Sequence, residues 1–328
     1  MDTFESFEQV IYKVNAQTFP EIALKLFHFQ AACNPVYQGY LAGLGVDPHA
    51  VTALEDIPFM PITFFKTKAV KTGEWDDEIV FTSSGTTGKD VSRHHLRSRS
   101  FYTTNATNCF TSFFGSPDDF VILAMLPSYA ERTGSSLVFM VDHFIRAGGR
   151  DESGYFLHDH DALATRLEQL KGSGVKVILW GVTFALLELA EKCRVDLAHC
   201  IVIETGGMKG RRAEITREEL HSILQQRLNL RHVCSEYGMT ELLSQAYSKS
   251  DGVFECPTWM KVVIRDPEDP LARLPSGRVG GINVIDLANI HSCAFVETGD
   301  LGRSGQDGSF EVLGRLDNSD IRGCNLLG

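Results

Sequence analysis

Basic residues are in short supply in this 328-residue chain, in which 31 Lys and Arg stand against 42 Asp and Glu for a formal net charge of −11. A face that neutralises a phosphate backbone or an anionic membrane needs cations in excess, so the balance argues against a nucleic-acid partner. A small acidic substrate must instead meet locally placed donors. No apolar run is long enough to cross a bilayer, and the N-terminal MDTFESFEQVIY carries acids where a secretory leader needs positive charge. No two of the eight cysteines stand at C-x-x-C spacing, which argues against a zinc or dithiol site and predicts a reduced, cytoplasmic setting. Internal repeats and low-complexity tracts are also missing.

What is present, 43% hydrophobic and 22% charged residues, is enough for a substantial core. The first 45 residues read as helical, with Phe7, Val10, Ile11 and Val14 at helical spacing and Ile22, Leu24, Leu26 and Phe27 beyond Pro20. From FVILAML onward strand and helix alternate: DALATRLEQL is a predicted helix, KVILWGV a strand, FALLELAEKC a helix, HCIVIET a strand, and Thr216 with Glu219 caps a further helix. Such alternation predicts an α/β fold with a largely parallel sheet. Past Ser250 the short runs MKVVIRD, VGGINVIDL and SFEVLG predict a smaller β-rich subdomain at about 251–314.

Ligands of open α/β sheets bind where loops leave the carboxyl ends of strands, which directs attention to four segments. After EIVFT comes Ser83-Ser84-Gly85-Thr86-Thr87-Gly88-Lys89, whose glycines admit backbone amides to an anion, whose hydroxyls donate and whose lysine supplies charge. It is not a Walker loop, because only two residues separate its glycines and Asp90 follows the lysine. Ser235-Glu236-Tyr237-Gly238-Met239-Thr240-Glu241, taken to follow a strand at RHVC, offers a flat ring for a nucleobase, a hydroxyl for a phosphate and a carboxylate for magnesium. Thr298-Gly299-Asp300 reads as a turn whose carboxylate accepts from ribose hydroxyls, and Gly314-Arg315-Leu316-Asp317 supplies a cation. Each segment alone is also what an ordinary polar loop, turn or surface ion pair looks like.

Together and in this order, the four segments resemble the adenylate-forming superfamily of acyl-CoA synthetases, firefly luciferase and peptide-synthetase adenylation domains. The resemblance implies that chain 1–314 is that superfamily's large domain, that 315–328 is a hinge remnant and tail, and that the C-terminal lid domain with its adenylation lysine is absent. It implies ATP and Mg2+ as cofactors: Ser84, Gly85, Thr86, Thr87, Gly88 and Lys89 at the phosphates, Glu236, Tyr237 and Gly238 with Gly206 and Gly207 at adenine, Asp300 and Arg315 at the ribose, Thr240 at phosphate, and Glu241 on the metal.

More narrowly, IPFMPITFFK, LPSYAERTGSSLVFMV and ETGGMKGRR resemble the acyl-protein synthetase (LuxE-type) subunit of the bacterial luminescence fatty-acid reductase. That likeness implies activation of a carboxylic acid, a fatty acid in that family, followed by acyl transfer to a cysteine near the C-terminus. Cys324 stands in the corresponding place, two positions after Arg322, and a cationic setting favours a thiolate. Lys209, Arg211 and Arg212 are candidates to replace the lid lysine. An acyl reductase or acyl-carrier protein is the implied partner. The alternatives are a coenzyme A ligase of phenylacetate type and a non-catalytic module that binds nucleotide or an acyl-carrying partner. Trp180, Phe184 and Tyr129 are acyl-pocket candidates, although bulky residues in apolar runs are more often core. His94 reads as a solvated loop histidine, His158-Asp159-His160-Asp161 as a helix start, and Ser135 with Asp142-His143 lacks a nucleophile elbow.

Overall fold

The computed structural model describes residues 3–84, 91–206 and 215–316. The chain divides into two compact units: residues 1–105, 239–244 and 255–328 form the first, and residues 106–238 and 245–254 the second.

The first unit opens with helices α1 (Phe4–Val10), α2 (Phe19–Cys33) and α3 (Pro35–Gly43). Asn34 ends α2 and caps α3, its side chain accepting from the Val36 and Tyr37 amides, with Pro35 at the first helical position where its missing N–H costs nothing. The inward stripe of α2, Ala23, Leu26, Phe27 and Ala31, is buried. Two polar residues share this buried stripe. Gln30 donates to the carbonyls of Asn289 and Ile290 and accepts from the Ala294 amide, while Asn34 donates to the Ser292 carbonyl, so the 289–294 segment is gripped by α2. Strand β1 (Met60–Pro61), the single-turn α4 (Phe64–Thr67) and the antiparallel pair β2 (Ile79–Thr82) and β3 (Arg93–Leu96) follow. Within α5 (Arg99–Phe114) the chain passes to the second unit.

The second unit carries the alternation read from the sequence: β4 (Phe120–Met125), α6 (Ser136–Gly148), β5 (Gly154–Tyr155), α7 (His160–Leu170), β6 (Lys176–Val182), α8 (Thr183–Lys192), β7 (Cys200–Thr205), α9 (Arg217–Leu228), β8 (Cys234–Tyr237), β9 (Ala246–Ser248) and β10 (Val253–Phe254). Its sheet runs β5-β4-β6-β7-β8-β9, parallel from β5 to β8 and antiparallel at β9. Because helices cover a parallel sheet, its central strands are apolar along their length, and every residue of β4 is buried. Each buried Leu, Ile, Val or Phe contributes about 1.5–3 kcal/mol of transfer free energy. Thr216 caps α9 by accepting from the Glu219 amide, as its spacing predicts, and Asp159, in the run expected to open a helix, caps α7 by accepting from the Ala162 amide.

Back in the first unit, β11 (Met260–Arg265), β12 (Val279–Asp286), β13 (Phe295–Ser304) and β14 (Phe310–Arg315) form an antiparallel sheet in sequence order, with β1 parallel to β13. Thr298-Gly299-Asp300 is not the free turn its sequence suggests. It lies inside β13 as a bulge: the pairing steps from Gly281–Leu301 to Asn283–Glu297, so that three residues of β13 face Ile282 alone.

Candidate functional site

In the first unit, β2 and β3 hold the base of the Ser/Thr/Gly loop. Their ladder continues one step past the strands, the Ser83 amide donating to the Ser92 carbonyl at 3.1 Å and the Ser92 amide to Ser83 Oγ at 2.9 Å. Ser84 is exposed at the mouth of this loop. Gly85, Thr86, Thr87, Gly88 and Lys89 lie outside the described residues.

Glu241 sits beside that base, only 6% exposed. Burial raises its carboxyl above the ordinary range, while the Ser92 hydroxyl bonded to it and the Arg315 cation work the other way and the Asp300 charge adds to the rise. Ser92, Glu241 and the Asp300–Arg315 pair, drawn from three distant stretches of sequence, are therefore neighbours. Asp300 and Arg315 face each other across β13 and β14, with Asp300 Oδ1 3.6 Å from Arg315 Nε. The Asp300 side chain is 15% exposed and that of Arg315 78%, so the carboxylate is largely covered and the cation faces solvent. An ion pair this exposed adds little to stability.

This donor set fits magnesium, which is held by one or two carboxylates together with substrate phosphates; a divalent cation would also offset the cost of ionising the buried Glu241. Asp300 offers two oxygens to a vicinal diol, as a ribose requires.

Two residues outside the motifs fix the backbone at Thr240 and Glu241. His94 is no solvated loop histidine: it lies on β3 at 1% exposure, Nδ1 donating to the Thr240 carbonyl at 2.7 Å, with Nε2 3.1 Å from Asn289 Oδ1. Burial lowers its pKa to about 4, while the hydrogen bonds to Thr240 and Asn289 work the other way. Asn289 Nδ2 in turn donates to the Glu241 carbonyl at 2.9 Å, and the Asn289 carbonyl is held by Gln30 of α2. The N-terminal helices, read as packing alone, thus reach the site in three steps. The signal was present in Arg93-His94-His95-Leu96, whose period-2 alternation turns His94 inward with Leu96. Just beyond, the Asp286 carboxylate accepts from the amides of Leu243, Ser244 and Ala288 and from Ser244 Oγ, fixing the segment that leaves Glu241.

The second unit presents the carboxyl ends of β6, β7 and β8. The strand expected at RHVC runs instead over Cys234–Tyr237, because only from Cys234 on do the residues pair with β7, so Glu236 and Tyr237 belong to the strand itself. Tyr237 is 7% exposed and packs edge-to-face on Phe254 at 5.9 Å. Glu236 bonds the Thr205 hydroxyl, and its pKa is pushed up to about 7 by burial first, against the Thr205 bond and with the charge of Glu204 adding to the rise. A Cβ on Gly238 would lie 2.3 Å from Glu236 Oε1, which explains glycine at that place. Gly206, at φ +72°, ends β7 in the left-handed region, and its carbonyl accepts from Thr183 Oγ1 at 2.7 Å. Beneath, Glu204 is bonded by Arg217 Nε at 3.1 Å with His221 at 3.7 Å, and its carboxyl is held low by these partners in spite of burial.

Gly207, Lys209, Arg211, Arg212 and Cys324 lie outside the described residues. Trp180 is core: fully buried on β6, it stacks on Phe110 at 6.0 Å and meets Phe144 and Tyr247. Phe184 is 8% exposed on α8. Ser135 caps α6, and His143 faces Thr107.

No family model matches the sequence, and no curated protein does. Solved structures do match. Among them are ATP-bound MatB from Rhodopseudomonas palustris (TM-score 0.54, 20% identity, covering 72% of this chain and 47% of that one), 2-hydroxyisobutyryl-CoA ligase in an open conformation with 2-HIB-AMP and CoA (0.66, 12%, 93% and 72%), and the luciferase-like enzyme of the mealworm Zophobas morio (0.51, 19%, 74% and 58%). The chain has the fold of the large domain of adenylate-forming enzymes. It spans about half the length of MatB. No helix among the described residues is long and apolar enough to cross a membrane.

Proposed function

We propose that this protein activates a carboxylic acid with ATP, forming an acyl-adenylate and releasing pyrophosphate. The observation that carries the reading is that Ser92, Glu241 and the Asp300–Arg315 pair are neighbours at the base of a Ser/Thr/Gly/Lys loop, in a fold shared with structures that hold ATP and an acyl-adenylate. The substrate carboxylate oxygen attacks the α-phosphorus, the new P–O bond replaces the bond to pyrophosphate, and no proton needs to move. Lys89 and Thr240 serve the phosphates and Asp300 takes the ribose hydroxyls, as the resemblance implies. Glu241 would hold Mg2+, which when bound would supply positive charge against the leaving pyrophosphate.

The second step is transfer of the acyl group to a thiol. The LuxE-type resemblance favours Cys324 as acceptor: its thiolate attacks the acyl carbon, a thioester forms and AMP leaves. A fatty acid is then the substrate, an acyl reductase the partner, and residues 315–328 the hinge and acceptor tail. A second reading, transfer to coenzyme A, is favoured by the likeness to a ligase whose structure holds CoA. Incubation with ATP, Mg2+ and radiolabelled myristate, followed by denaturing electrophoresis, separates them: label that stays on the chain and is lost in Cys324→Ser supports the cysteine, whereas AMP formation that requires coenzyme A contradicts it.

A further inference from the structure

We propose that Arg265 is the positioning residue of the ribose-binding carboxylate, its guanidinium standing in for the ladder hydrogen bonds that β12 and β13 lose at the Thr298-Gly299-Asp300 bulge. The inference rests on the reading of Asp300 as the ribose ligand.

Where three residues of β13 face one of β12, strand pairing cannot supply every partner, and a buried carbonyl left without one costs about 1–3 kcal/mol. Arg265, at the end of β11, fills the gap. It is 6% exposed, and its fork reaches both strands: Nη1 donates to the Ile282 carbonyl at 3.0 Å and to Asn283 Oδ1 at 2.9 Å, and Nη2 donates to the Thr298 carbonyl at 2.9 Å. Glu297 Oε1, 3.5 Å from Nη2, balances the charge. Only a planar group with several fixed donors bridges two carbonyls in this way; an ammonium is a single point.

The sequence has made room for it. A Cβ on Gly281, the residue opposite Arg265 on β12, would lie 2.4 Å from Arg265 Cζ and 2.6 Å from Nη1. Gly281 is therefore the slot through which the guanidinium enters.

The bonds then run directly to the functional group. Thr298, whose carbonyl Arg265 holds, donates through Oγ1 to the Ile282 carbonyl at 2.7 Å and accepts at the same oxygen from the Asp300 amide at 3.1 Å. On the far side the Leu316 amide donates to the Gly299 carbonyl at 2.8 Å. The bulge is thus held from within by a buried cation and from without by the residue that follows β14, and the Asp300 carboxylate projects from that backbone. Arg265 touches no ligand; it acts through Thr298.

The test is the preference for ATP over 2′-deoxyATP and 3′-deoxyATP, measured as Kd by calorimetry on the full chain with Mg2+, which needs no knowledge of the acid. Asp300→Asn should weaken ATP about tenfold or more and abolish the preference. Arg265→Gln should erode the preference to a similar degree, and the double variant should lose no more than the worse single one, because both act on one contact. Arg265→Lys, which keeps the charge but not the fork, should fall between, and it carries the test if Arg265→Gln does not fold. A general loss of stability would weaken all three nucleotides alike and leave the preference intact. Full preference in Arg265→Gln, or in Arg265→Lys, beside its loss in Asp300→Asn overturns the inference and leaves the ribose reading standing. Unchanged preference in Asp300→Asn itself removes that reading, and the inference with it.

Discussion

Replacing Glu236 by glutamine removes one ionisable proton from the carboxyl end of β8 without changing its shape. Burial, reinforced by the Glu204 charge, raises the carboxyl from 4.5 to about 7, the Thr205 hydroxyl only partly opposing it. The folded chain therefore holds a proton through a window in which the unfolded chain has already released it. Stability from this group is complete below pH 4.5 and is lost as pH rises to about 7, after which it is flat. At 1.36 kcal/mol per pH unit the whole window corresponds to roughly 3 kcal/mol, most of it between pH 5 and pH 8. Glutamine carries no such proton and can still bond Thr205. Urea denaturation of both proteins at pH 5, 6, 7 and 8 isolates the effect of Glu236 together with its coupling to Glu204, because the remaining titrations are shared. The glutamine variant should gain on the wild type by about 2–3 kcal/mol from pH 5 to pH 8. A difference that stays constant across that range would refute the reasoning, since Glu236 would then titrate alike in the folded and unfolded chains.

Other substitutions probe the neighbouring geometry. Gly238→Ala should destabilise by about 1–3 kcal/mol in the same denaturation assay and should lose part of that penalty when combined with Glu236→Ala, which removes the carboxyl its Cβ would meet. His94→Ala frees the Thr240 carbonyl and one side of Asn289, and should cost about 2–4 kcal/mol while raising KM for ATP more than for the acid. Asp286→Ala leaves three buried amides and a hydroxyl without their acceptor and should cost about 3–5 kcal/mol, read as a fall in denaturation midpoint without a change in m.

The α/β alternation was legible because period and burial agree: β4 and β6 are apolar runs between helices, and both appear where the sequence places them. β11, β12 and β14 were legible from their turn residues, but β13 was not, because its Thr298-Gly299-Asp300 reads as a turn, and neither was the bulge, because three residues opposing one is a property of two strands whose register no single strand encodes. The same limit hid Arg265 and Asn289. An arginine at the end of a strand reads as a surface charge until Gly281 is seen to admit it, and Asn289 reads as a loop residue until His94, Glu241 and Gln30 arrive around it from three distant segments. The strand limits at β8 were misplaced by a few residues because RHVC and CSEY are equally good short strands, and only pairing with β7 chooses between them.

The central claim is that this chain makes an acyl-adenylate, and carboxylate-dependent exchange of pyrophosphate into ATP tests it most directly. Over a panel of fatty and aromatic acids, the wild type should catalyse exchange with at least one acid, Glu241→Ala should lose it by a factor of about a hundred or more, and Cys324→Ser should keep it. Exchange that survives in Glu241→Ala, or no exchange with any acid although ATP binds, would contradict the account.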